Sequence, residues 1–83
     1  MMTPTIYLNG TSKDELITQV ETAAHAMRAA IDALNDAAPN ARDYAPQGPA
    51  AFRFAASEHR LRVETLTRIK DDMETIWATI LDA

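Results

Sequence analysis

The apolar residues of this chain fall into two long rows at helical spacing, separated by a short break. In the first row Leu16, Val20, Ala23, Met27, Ala30, Leu34 and Ala37 alternate steps of four and three, and Ile17, Ala24, Ile31 and Ala38 lie beside them seven apart. Such a pattern is an amphipathic helix with an apolar face wide enough to touch more than one neighbour. In the second row Phe52, Ala56, His59, Val63, Leu66, Ile69, Met73, Ile76 and Ile80 follow the same rhythm, and Trp77 and Leu81 widen it near its end. Glu58 with Arg62 and Glu64 with Arg68 are four apart in the order that supports a helix, and they imply nothing more.

The residues between the rows set the boundaries. Ser12-Lys-Asp-Glu15 fits a capping box, with acidic side chains in the first turn where the helix dipole favours them. Pro39 stops the first helix by pushing Ala38 out of the α region. Gly48 and Pro49 read as the N-cap and first position of the second. Thr5–Leu8, after Pro4, is β-prone and reads as an extended arm or edge strand, and Asn9-Gly10 as a turn. The expectation is one domain: arm 1–11, helix 12–38, connector 39–48, helix 49–82. The fold class that follows is all-α, an antiparallel two-helix hairpin with a short extended N-terminal arm.

Composition adds a reason for assembly. Much of the 47% hydrophobic content is alanine, which brings helices close but buries little area per residue. At 83 residues a single core is marginal, and there is no cysteine to staple it. A lone hairpin also leaves one side of each apolar row in water, so we expect a helical-bundle oligomer, at least a dimer of this chain.

Charge narrows the partners. A net charge of −4 argues against a general DNA-binding role, which needs a basic footprint. The distribution is uneven: residues 40–62 carry Arg42, Arg53, Arg60 and Arg62 against Asp43 and Glu58, whereas 1–39 and 63–83 each carry two basic and five acidic side chains. No apolar run reaches the roughly 20 residues of a membrane span. The N-terminus does not read as a signal peptide. The expectation is a soluble protein of the bacterial cytoplasm.

No standard catalytic signature is present: there is no cysteine nucleophile, no phosphate-binding glycine loop and no Gly-x-Ser-x-Gly elbow. His25 and His59 sit on different helices, and a packing role outweighs a metal role for both; Asp71, Asp72 and Glu74 read as a solvated face. We therefore expect no enzyme activity, no cofactor and no metal. The feature that rises above this background is the connector with the helix start after it. It holds three of the four prolines, the positive island and the aromatics Tyr44, Phe52 and Phe54. Guanidinium groups suit phosphate, aromatic faces suit a base, and a helix N-terminus offers free amides to an anion. The candidate ligand-binding residues are Arg42, Asp43, Tyr44, Gln47, Arg53, His59 and Arg60. Arg60 and Arg62, two apart, point to different sides of a helix.

Three stretches carry a resemblance: Ile-Tyr-Leu-Asn-Gly-Thr-Ser at 6–12, Pro-Asn-Ala-Arg-Asp-Tyr-Ala-Pro-Gln-Gly at 39–48 and Glu-His-Arg-Leu-Arg at 58–62. Together they resemble a family of small phage and prophage proteins of proteobacteria, along nearly the whole chain. The family's connector is closer to Asn-Gly-Arg-Asp-Tyr-Tyr-Pro-Gln-Gly, and this chain departs from it at Ala41 and Ala45. The resemblance implies phage origin and carries over no catalytic residue. By analogy with small phage proteins that counter host defence, the leading expectation is a homo-oligomer that sequesters a small phosphorylated nucleotide at the connector. The alternative is a protein–protein or phage-assembly module that grips a host or phage protein through its apolar faces, without a small ligand.

Overall fold

The computed structural model describes residues 1–83. It is all-helical: α1 (Lys13–Asp36), a four-residue α2 (Ala41–Tyr44), a 3-10 turn (Ala45–Gln47) and α3 (Pro49–Leu81). The two long helices pack against each other in antiparallel fashion. Arg28 Nη2 lies 2.6 Å from Glu74 Oε1, and Lys13 Nζ donates to the Ala83 carbonyl at 2.7 Å. Both ends of the Arg28–Glu74 pair are substantially exposed, so it fixes register more than it adds stability.

The start of α1 forms as its sequence requires. Ser12 is extended (φ −63°, ψ 154°) and its hydroxyl accepts from the Glu15 amide at 3.2 Å. Only the serine half of the capping box forms, because the Glu15 side chain makes no return bond. At the other end α1 stops at Asp36, two residues short of the expected Ala38. The Ala37 amide donates to both Ala33 and Leu34 carbonyls, tightening the last turn ahead of Pro39. The arm forms no strand, whereas the Asn9-Gly10 turn does close, with Gly10 N–H donating to the Tyr7 carbonyl at 3.1 Å.

The connector is more structured than a ten-residue loop. Asn40 is extended, and its Oδ1 accepts from the Arg42 amide at 2.9 Å, so it caps α2. The chain then tightens into the 3-10 turn and reverses at Gly48, with φ 97° and ψ 165°. That conformation is open to glycine and strained for any other residue. A Cβ at Gly48 would meet nothing within 4 Å, so the cost of a side chain there is backbone strain alone. Gly48→Ala is expected to destabilise the fold by about 1–3 kcal/mol. In thermal melts followed by circular dichroism that is a fall of roughly 4–20 °C. An unchanged melt would mean that this turn is not strained.

The first apolar row holds as far as Leu34: Leu16, Val20, Ala23, Met27, Ala30 and Leu34, with Ile17, Ala24 and Ile31, are less exposed positions of α1, whereas Ala37 and Ala38 fall past the helix and are exposed. On α3 two of the expected members, Ile69 and Leu81, are exposed. Ile69 is 43% exposed, and Lys70 takes the inward position instead. The four-three alternation from Val63 and Leu66 leads to residue 70, then Met73, Trp77 and Ile80. The Lys70 stem lies along the seam while its Nζ reaches Asp71 at 3.2 Å and Glu74 at 3.9 Å.

The hairpin covers little of its own surface. Ala24 (4%) and Ile80 (0%) are the two buried residues of the chain. The molecule measures 61 × 20 × 17 Å with a radius of gyration of 18.3 Å. A compact domain of this length has a radius of about 12 Å. At 33 residues against 24, α3 outruns α1, and its first turns are covered only by α2 and the 3-10 turn folding back on them. No helix is long and apolar enough to cross a membrane.

Candidate functional site

The fold-back of the connector creates the site. The Tyr44 ring packs on Phe52 with centroids 6.4 Å apart and planes tilted by 53°, a favourable aromatic geometry that ties α2 to α3. Beside this contact a groove of about 460 Å³ opens between the two segments. Its connector wall holds Pro39, Tyr44 and Gln47, and its α3 wall holds Phe54, His59 and Arg62. Ala51 and Ala55, four apart, line the same face, and their small side chains leave the space open. The size is within the roughly 300–1,000 Å³ of small-molecule sites.

Three of the seven residues expected at a site therefore meet: Tyr44, Gln47 and His59. The other four do not line this groove. Arg42 turns back on its own helix cap, with Nε 3.3 Å from Asn40 Oδ1, and Asp43 is exposed beside it on α2. Arg53 lines a separate hollow with Ala50, Phe54 and Ser57. Arg60 is exposed on the far side of α3 from Arg62, as a two-residue separation requires. Arg62, left out of the expected set, is the guanidinium that lines the groove. The signal for it was the three-residue step from His59, which places the two side chains on one face.

Arg62 is loosely held. Its Nη2 is 3.8 Å from Glu58 Oε2, and both side chains are more than 60% exposed. Such a pair contributes little, so an arriving anion can replace the carboxylate at small cost. Nε2 of His59 is buried and makes no hydrogen bond, as is Nε1 of Trp77 farther along α3. Each is a polar atom whose burial is uncompensated in the single chain. The start of α3 offers fewer free amides than its sequence promises. Pro49 has no N–H, and the Ala51 N–H donates to the Gly48 carbonyl at 3.2 Å.

His25 belongs elsewhere, in a hollow of about 300 Å³ on α1 lined by Thr18, Glu21, Thr22 and Arg28 with no apolar wall. No group of three or more His, Asp or Glu side chains comes together at metal-binding spacing. Comparison with protein-family models, curated proteins and solved structures finds no match to this chain.

Proposed function

We propose that this chain is a non-enzymatic, self-associating binding protein whose connector groove takes a small phosphorylated nucleotide. The observation that carries the reading is the convergence of Tyr44, Gln47, His59 and Arg62 from two segments on one groove. Arg62 supplies charge-assisted hydrogen bonds to phosphate, Tyr44 an aromatic edge or hydroxyl, and Gln47 and His59 polar groups able to orient a base. The surrounding residues 40–62 are net positive in an acidic protein, which draws an anion to this end. On this reading Arg42, nearest in sequence, contributes to the field and Arg62 makes the contact. By analogy with small phage proteins that counter host defence, the role on this reading is sequestration of a nucleotide signal of that defence in the bacterial cytoplasm.

The test is scanning fluorimetry of the purified protein against a panel of mono- and dinucleotides. At least one member of the panel is expected to raise the melting temperature in proportion to the logarithm of its concentration, as a ligand of the native state does. A panel with no shift at millimolar concentration would overturn the ligand reading. A second reading is favoured by the exposure of Phe54 (72%) and Leu61 (59%): a protein–protein module with no small ligand. Recovery of one stoichiometric host or phage protein, with an empty nucleotide panel, would establish it.

A further inference from the structure

Of the eight large exposed apolar side chains, all but Ile69, midway along α3, stand toward the two ends of the rod. At the end holding both termini stand Met1, Met2, Tyr7, Leu8 and Leu81, and at the connector end Phe54 and Leu61. Leu8 is 98% exposed, yet it does not sit on a loose tail. It projects from the closed turn between Tyr7 and Gly10, and the Tyr7 ring lies over Gly10 so tightly that a Cβ there would be 2.6 Å from it. Phe54 and Leu61, seven apart, share one outer face of α3 with the small residues Ala50 and Ser57. Leu61 and Leu81 are 20 residues apart on one helix, about 30 Å. The arm therefore cannot cover Phe54 and Leu61 of its own chain without leaving its turn.

Charge is uneven along the sequence, with the basic excess in residues 40–62, although Asp36 at the end of α1 and Glu64 on α3 stand near that end as well. Residues 40–62 hold four basic and two acidic side chains, and the rest of the chain four basic and ten acidic. The intrachain ion pairs join Arg28 to Glu74, Arg62 to Glu58 and Lys70 to Asp71 and Glu74. They leave Arg53 and Arg60, beside Phe54 and Leu61, without a partner, and Asp14 and Glu15, just after the arm, likewise. The accessible surface is 6093 Å², against about 4,900 Å² for a compact monomer of 9.1 kDa. The excess of roughly 1,200 Å² per chain follows from the elongated shape, and it leaves enough surface for one partner's share of an obligate dimer interface.

We infer that a second copy of this chain packs antiparallel along the rod, end over end. The Tyr7–Leu8 turn of each copy covers the Phe54–Leu61 face of the other, and Arg53 and Arg60 meet Asp14 and Glu15. A two-fold arrangement makes both contacts twice and leaves no end uncovered. This pairing rests on the self-association proposed above and not on the ligand. It brings the arm of one copy beside Phe54, which forms part of the groove wall of the other.

The absence of cysteine makes the test direct. Leu8→Cys and Leu61→Cys proteins are mixed and oxidised with mild copper–phenanthroline, and products are read on a non-reducing gel. The mixture is expected to give a covalent dimer joining the two variants, and the double variant in one chain is expected to stop at a covalent dimer. Sedimentation showing a dimer that fails to crosslink at these positions would overturn the pairing, and a ladder of higher products would replace it with an open head-to-tail chain. A monomer would overturn it together with the assembly part of the proposed function. As an independent arm, Arg53→Glu with Arg60→Glu should weaken the dimer by about 1.4- to fivefold per lost pair, the range of exposed ion pairs. Mixing with Asp14→Arg, Glu15→Arg protein should restore it. No weakening, or no rescue, would count against the assigned contacts. The nucleotide panel reads the ligand separately, so a chain that crosslinks this way with no nucleotide shift keeps the pairing and loses the ligand.

Discussion

Ile80→Ala is expected to be the most destabilising single truncation in the chain. Ile80 is the one large side chain wholly closed to solvent, and with Ala24 it makes up the buried core. Cutting a buried isoleucine to alanine removes its transfer free energy and leaves a cavity, together about 2–5 kcal/mol. In a domain this small each kcal/mol lowers the melting temperature by about 4–8 °C. The melt of Ile80→Ala should therefore fall by roughly 10 °C or more. Leu81→Ala is the matched control, since Leu81 is next in sequence and 46% exposed. Its melt should move by far less. Because the proposed dimerisation would make the melting temperature depend on concentration, all variants are compared at one protein concentration. An equal loss from the two substitutions would show that the α1–α3 seam at this end is not the core of the fold.

The second large effect concerns the groove. Arg62→Ala is expected to weaken binding of the nucleotide identified by fluorimetry by about ten- to a hundredfold, the worth of a hydrogen bond to a charged group. Arg42→Ala should cost much less, since the Arg42 side chain is turned to Asn40 and acts only through the field. Neither substitution should disturb the helix, because both side chains are exposed on helical segments. Isothermal titration of the two variants decides between them. A larger loss from Arg42 than from Arg62 would move the site out of the groove and onto the outer face of α2.

The long helices were legible in the sequence because their apolar spacing, caps and breakers agree. Ser12, Gly48 and Pro49 stand at or next to an observed helix start, and Pro39 stands three residues past the end of α1. The position of Lys70 was not legible from hydropathy, which favours Ile69. A continuous four-three alternation sets which residue faces the seam, and a long aliphatic stem lets lysine satisfy it. α2 was missed because four residues carry no periodicity, although Asn40 two residues before Arg42 is a recognisable cap. The lining of the groove was partly legible. Composition identified the connector as the place where arginine and aromatic residues gather. Which of them share a groove depends on the fold-back fixed by Gly48 and by the Tyr44–Phe52 contact, neither of which a list of residue types contains.

Native mass spectrometry of the protein purified from bacterial cells, repeated under denaturing conditions, reads assembly and ligand together. The expected result is a discrete oligomer of this chain carrying an added mass that is released on denaturation, with nucleotide absorbance in the released fraction. A clean 9.1 kDa monomer with no added mass, in a preparation supplied with the full nucleotide panel, would contradict it.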